Sequence, residues 1–200
     1  MIYKTIQQTG SIIPIAQNYR DCIKLIRSDY YRCKGRNTSL FLMWVYSLFT
    51  SNFGFLFWLR LSSYKGFLYP ICRFFHRMYY LRYGLEITPD TLVGYGLYLS
   101  HGHGIIVNPS AIIGNNCNLS QFSTIGANGD EKAAIVGDNV YIGPNVCVVG
   151  NVVIGSLSTI GAGAVVVKDV SENITVAGVP AKEISHNKPG RFVNRRFIME

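Results

Sequence analysis

Acidic residues are scarce in this sequence. Asp and Glu number 11 against 19 Lys and Arg, which leaves a net charge of +8 and a pI near 9.3. Such a balance favours anionic partners: phosphates, nucleic acid or an acidic membrane surface. Also missing is any Cys-x-x-Cys pair, and the five Cys are an odd number. A disulfide framework is therefore not expected, and a reducing compartment is. The start, Met1 to Ser11, lacks the apolar core of a secretory signal, so a cytoplasmic location is expected. No stacking platform or Arg-rich recognition motif is present, so the positive charge alone does not make nucleic acid a partner. What is abundant is apolar: 48% of the chain, too much for disorder. Two hundred residues can bury one core, with or without an appendage.

The apolar residues are ordered in an unusual way. Between Ile87 and Val170 an aliphatic recurs every six positions. Ile87, Val93 and Leu99 form one run. After a two-residue slip come Val107, Ile113, Leu119 and Ile125. After a longer break come Val136, Ile142, Val148, Ile154, Ile160 and Val166. Gly often follows the aliphatic, and a small residue such as Thr91, Ala111, Cys117, Ser123, Ser158 or Ala164 lies four positions on. A period of six fits neither an α-helix nor a hairpin sheet, and a β-sandwich does not hold one period for so long. It is the signature of a parallel β-helix, in which three hexads make one triangular turn. Each aliphatic is then expected to stack on the one eighteen residues later.

The rest of the chain reads in order. Residues 1–18 look like a loose lead-in. Asn18 to Arg36 has the charge and Ile/Leu spacing of a short amphipathic helix. Leu40 to Leu59 carries no charged residue and would be long enough to cross a bilayer, but Ser47, Thr50, Ser51, Asn52 and Gly54 interrupt it. Two helices, roughly 39–49 and 53–63, are expected instead. Tyr69 to Tyr83 reads as another helix, opened by Pro70 and ended by Gly84. Arg60, Lys65, Arg73, Arg77 and Arg82, interleaved with Phe and Tyr, would suit an interfacial face in peripheral contact with the inner side of a membrane. They would equally suit solvated Arg around aromatic core and trimer contacts. The organisation expected is a helical region (1–85), the coil (86–184) and a basic tail (185–200).

At the coil the sequence resembles the hexapeptide-repeat acyltransferases, and within them the serine acetyltransferase-like branch. The resemblance covers roughly residues 18–184. It is carried by Leu99-Ser-His-Gly-His-Gly-Ile-Ile-Val-Asn, by Asn118-Leu-Ser-Gln-Phe-Ser-Thr-Ile-Gly126, by Ile160-Gly-Ala-Gly-Ala and by Ala177-Gly-Val-Pro-Ala-Lys182. The N-terminal helical part looks like the version found in capsule and surface-polysaccharide loci. The resemblance implies a mainly β fold, a left-handed parallel β-helix with an N-terminal α-helical region. It also implies acetyl-CoA as co-substrate and a homotrimer with active sites between subunits. His101 occupies the family's catalytic position. Fifteen residues upstream, where the family has Asp, stands Glu86. An alcohol is a poor nucleophile at neutral pH, so acetyl transfer needs a base, and a His oriented by a carboxylate suits it. The matching positions for acetyl-CoA are Gly126, Pro144, Ala162 and Lys182, although Pro144 has no N–H to offer. His103 shares a strand face with His101, but no third His lies in the coil, so no metal is expected. Cys117 and Cys147 read as packing and surface residues rather than nucleophiles.

The acceptor is less determined. The resemblance places charged residues around the catalytic His to hold an amino acid, and this chain has Ser100, Pro109 and the neighbourhood of Lys132-Ala133 there. A zwitterion needs charged partners. The expected acceptor is therefore a sugar hydroxyl of a surface polysaccharide, contacted by Ser100, Asn108 and His103 (which reads equally as filling a corner), with Gln121, Asn128 and Asp130 as further donors and acceptors. Serine O-acetylation is the alternative, and a non-catalytic coil used as a scaffold is a third reading.

Overall fold

The computed structural model describes residues 1–186 and 188–199. Its N-terminal residues are not a loose lead-in. They form an antiparallel hairpin of β1 (Ile2–Thr5) and β2 (Ile12–Ile15). The hairpin is anchored by buried Ile6 and Ile13 and by the Asn115 amide, which donates to the Ile12 carbonyl at 3.0 Å. That anchor comes from 103 residues away, which is why local pattern does not reveal it.

Four helices follow. Helix α1 (Tyr19–Lys34) starts at Asn18, whose side chain accepts from the Asp21 N–H, and stops at Gly35 in the left-handed region. Helices α2 (Leu40–Leu48) and α3 (Ser51–Ser62) split the uncharged stretch where its polar residues fall. Gly54 makes the split tight: a Cβ there would lie 2.4 Å from both the Ser47 carbonyl and the Tyr79 ring. Tyr79 belongs to α4 (Tyr69–Tyr83) and donates its hydroxyl to that same carbonyl at 2.6 Å. Among the described residues no helix is long and apolar enough to cross a membrane.

Arg60 departs from the interfacial reading. It is 3% exposed and grips Asp29 of α1 with two hydrogen bonds, at 2.8 and 3.1 Å. Nη1 and Nη2 also donate to the carbonyls of Val93 and Gly94. A buried guanidinium must have every donor satisfied, and here the partners are the first coil and a carboxylate. Arg60 is thus the bolt between helices and coil.

The coil has three parallel faces. The hairpin face holds β3 (Leu92–Val93), β6 (Ile112–Ile113), β9 (Ile135–Val136) and β12 (Val153–Ile154). The tail face holds β4 (Tyr98–Ser100), β7 (Asn118–Ser120), β10 (Tyr141–Ile142), β13 (Thr159–Ile160), β15 (Thr175–Ala177) and an antiparallel β16 (Lys182–Ser185). The open face holds β5 (Ile106–Val107), β8 (Thr124–Gly126), β11 (Cys147–Val149) and β14 (Val165–Val166). All thirteen aliphatics of the period point inward and are buried, so the sixfold pattern reports one continuous apolar column per face. The eighteen-residue rung holds only in part. Leu99 pairs with Leu119, twenty residues on, because of the slip. Leu119 pairs with Ile142, twenty-three on, because of the break. The coil also runs past Val170, since β15 pairs with β13.

Two faces are covered from outside. The hairpin lies against Ile112 and Ile135, leaving a cleft of about 370 Å³. The C-terminal residues are not a free basic tail but a strap on the tail face. Asn118 donates to the Phe192 carbonyl, Asn116 and Phe197 exchange two hydrogen bonds, and Phe192 meets the Tyr141 ring at 4.8 Å. Arg32 of α1 reaches the same strap at the Asn194 carbonyl and also bonds the Asn118 side chain. On the open face, among the described residues, no hydrogen bond or ring contact from outside the coil reaches Ile106, Thr124, Cys147 or Val165.

Candidate active site

The edge between the tail face and the open face is built from stacked corners. Gly84, Gly104, Phe122, Asn145 and Gly163 all take left-handed backbone there. Successive corners are joined by Gly104 N–H to Tyr83, Phe122 N–H to His103, Asn145 N–H to Gln121 and Gly163 N–H to Pro144, between 2.9 and 3.1 Å. Tyr83, His103, Gln121, Pro144 and Ala162 therefore form one ladder down this edge. His103 occupies a regular rung.

His101 and Gly102 are the two extra residues of the slip. They bulge from the ladder, and His101 is exposed with φ 55°. Non-glycine residues adopt this conformation at some cost, and His is among those that tolerate it better. The bulge is held from below by α3. Asn52, in its first turn, donates from its side chain to the Leu99 carbonyl at 3.2 Å. Gly102 packs on it so closely that a Cβ would come within 2.8 Å of the Asn52 backbone. A side chain at 102 is sterically excluded, so the neighbouring imidazole is presented outward.

Glu86 lies at the same corner. Its N–H donates to the Ile105 carbonyl at 2.7 Å, and its carbonyl accepts from Val107 at 2.8 Å. Among the described residues its carboxylate makes no hydrogen bond or ion pair within the single chain, with His101 or otherwise. His103 is oriented more firmly. Its Nδ1 lies 2.7 Å from the His101 carbonyl. A carbonyl only accepts, so Nδ1 carries the hydrogen and the Nε2 of the neutral ring is left as an acceptor. The Tyr83 ring meets His103 edge-on at 5.4 Å.

The remaining predicted residues divide across the open face. Ser100 ends β4 beside His101 and is half-buried. Pro144, Ala162 and Gln121 lie on the His103 ladder. The Pro144 carbonyl accepts from Gly163, so the missing N–H leaves the ladder intact. Gly126 and Asn108 are at the opposite edge, where Asn108 Oδ1 accepts from the N–H and hydroxyl of Ser110 at 2.9 and 2.8 Å. The inserted loop with Asn128, Asp130 and Lys132 projects from that far edge and is tied to Ser110 through Ala133 N–H at 2.9 Å. Lys182 lies exposed on β16 at the end of the tail face. One chain thus brings Glu86, Ser100, His101, His103, Gln121, Pro144 and Ala162 to one edge, and leaves Gly126, Asn108, the loop and Lys182 away from it.

Asn52, Tyr83 and Phe122 also shape the site. Phe122 is exposed, and its ring fills the space above Gly104. An exposed aromatic at a corner that elsewhere takes Gly or Asn was the available sequence signal for Phe122. Cys117 is fully buried, with its thiol pushed up to about 12 by burial and its sulfur 3.1 Å from the Gly137 carbonyl. It is unsuited to nucleophilic work.

A parallel coil built on a six-residue aliphatic period, with helices before it, defines the hexapeptide-repeat class. The family model "Bacterial transferase hexapeptide (six repeats)" matches residues 133–168. The serine acetyltransferase of Bacillus subtilis is 33% identical over 137 residues, covering 67% of this chain and 62% of that protein. That of Synechococcus elongatus is 36% identical over 104 residues, covering 50% and 43%. The chain therefore spans less than two thirds of these curated relatives. The crystal structure of Neisseria gonorrhoeae serine acetyltransferase in complex with serine superposes with a TM-score of 0.69 at 30% identity, covering 83% of this chain and 70% of that one. The chain belongs to the hexapeptide-repeat serine acetyltransferase family.

Proposed function

We propose that the protein transfers an acetyl group from acetyl-CoA to a hydroxyl, with His101 as the general base. The observation that carries this reading is the bulge. The one interruption that places an exposed imidazole on the coil edge lies at the family's catalytic position, wedged outward by Asn52 and Gly102. His101 takes the hydroxyl proton as the oxygen attacks the thioester carbonyl. The C–O bond forms, backbone N–H groups hold the oxyanion, and the C–S bond breaks. The proton then passes from His101 to the departing thiolate. Glu86, at the same corner, is assigned to steady the imidazolium.

Serine is the acceptor that the comparisons favour, since the relatives are serine acetyltransferases and one was solved with serine. A neutral sugar hydroxyl, as in a surface polysaccharide, is favoured by Ser100 and Pro109 standing where the family resemblance expects carboxylates. His103, with Nε2 free to accept, would receive a hydrogen bond from either. A labelled acetyl-CoA screen of L-serine, simple sugars and polysaccharide fragments separates the two. Unchanged turnover in His101→Ala would remove the assignment of the base.

We assign the protein a homotrimer, a reading that the same geometry supports. The open face lacks a strap, and the loop at 127–135 lies at its far edge from His101. A neighbouring copy packed on that face would bring such a loop over the bulge, and Gly126 toward the Pro144 and Ala162 ladder. Light scattering that returned a monomer at working concentration would exclude a shared site.

A further inference from the structure

The outer surface of the helical region is apolar where a soluble protein is normally polar. Helix α2 exposes Phe41 (67%) and Trp44 (40%), and α4 exposes Ile71, Phe74, Met78 and Leu81 along one stripe. The two helices form opposite walls of a groove of about 420 Å³ whose floor is Phe57 and Trp58 of α3. Patches of this kind mark contact surfaces.

Charge decides between the occupants. From Tyr30 to Leu85 the sequence contains no Asp or Glu. Exposed Arg77 and Arg82 and half-buried Arg73 accompany the apolar stripe, while Lys65, in the loop between α3 and α4, is paired with Asp90 at 3.2 Å. Arg77 and Arg82 lie over the Tyr80 and Tyr83 rings at 4.7 and 5.5 Å, so their stems lie along the helix. A twofold contact with a second copy would set these cations against one another, with no carboxylate on α2, α3 or α4 to pair them. An anionic bilayer meets both features: its headgroups accept the cations, and its acyl boundary accepts Phe41, Trp44, Phe74 and Leu81. We infer that the α2–α4 face docks the protein on an anionic membrane surface. No spanning helix is required, and the bulge of His101 stays on the coil, outside the groove.

Vesicle flotation of the full chain tests this. Phosphatidylcholine vesicles with and without phosphatidylglycerol are compared at low and high salt. The wild type is expected to float with the anionic vesicles at least tenfold more than with the neutral ones, and high salt should weaken this. Phe41→Glu/Trp44→Glu and, separately, Arg77→Glu/Arg82→Glu should each lose at least tenfold in binding with an unchanged melting transition. Equal recovery on neutral vesicles, no recovery on either, or full binding by both folded variants would overturn the inference. So would a wild-type assembly that Phe41→Glu/Trp44→Glu splits into smaller species, since the face would then belong to a second copy.

Discussion

Acid should loosen the junction between α4 and the coil through one residue, His76. It is 3% exposed, its Nε2 donates to the Ile87 carbonyl at 3.0 Å, and its Nδ1 faces Arg73 at 3.2 Å. Burial first, and the Arg73 charge second, push its pKa down from 6.5 to about 4, against the opposing pull of the Ile87 carbonyl. The folded protein therefore holds His76 neutral where the unfolded chain would protonate it. With the folded pKa depressed, the unfolded state binds more protons between the two values, so stability is complete above 6.5 and falls as pH drops toward 4. Linkage with these two values gives a loss of about 2 kcal/mol between pH ~7.5 and pH ~5, rising to about 3 kcal/mol near pH ~4. Urea unfolding at several pH values measures it. His76→Gln keeps an amide donor for Ile87 but has no proton to gain. Its stability should be lower at neutral pH and nearly flat across the window. If the variant lost the same amount as the wild type on acidification, other groups would carry the effect. Asp21 is a poor candidate for that, because the N-terminal ammonium holds its pKa below the ordinary 3.8.

Two further outcomes follow from packing. Asp29→Ala strands the Arg60 guanidinium in the interior and should cost about 3–5 kcal/mol in urea unfolding, whereas Asp29→Leu/Arg60→Met should cost less, since no unpaired charge remains. Gly102→Ala forces its new methyl against the Asn52 backbone at 2.8 Å; the melting transition should fall, and in the protein still folded at assay temperature acetyl transfer should drop at least tenfold, since about 1.4 kcal/mol of misplacement is a factor of ten. A Gly102→Ala enzyme of normal rate would mean that the bulge does not position the base.

What the sequence disclosed and what it hid differ in range. The coil was legible because each hexad buries an aliphatic for the same local reason, so the period survives two insertions that alter the rung from eighteen to twenty and twenty-three residues. The helix boundaries were legible from Asn18, Pro70 and Gly84, which act within a turn of themselves. The hairpin, the strap and the Arg60 bolt were not, because their partners lie far away in the chain. Phe192 is held by Asn118 and Ile12 by Asn115, and an Asn in a coil looks the same whether it caps a turn or ties down a distant carbonyl. Arg60 read as an interfacial cation because nothing within 30 residues of it names Asp29 as its partner.

The insertions also explain how a repetitive scaffold acquires a local site. A regular coil offers identical corners, and none differs enough from its neighbours to bind one small molecule. Two extra residues at Ser100–His103 push a single imidazole out of the ladder, and Asn52 of α3 fixes where it goes. The longer insertion falls one face further along the turn and ends at the opposite rim of the open face. In one chain the coil itself lies between these two features. Packed face to neighbouring edge, a loop from one copy would lie over the bulge of the next, with the Tyr83–Ala162 ladder beneath it. The hairpin and the strap keep the other two faces from packing in the same way. That leaves one face uncovered, with both insertions at its rims, which is the arrangement that a site shared between copies would require.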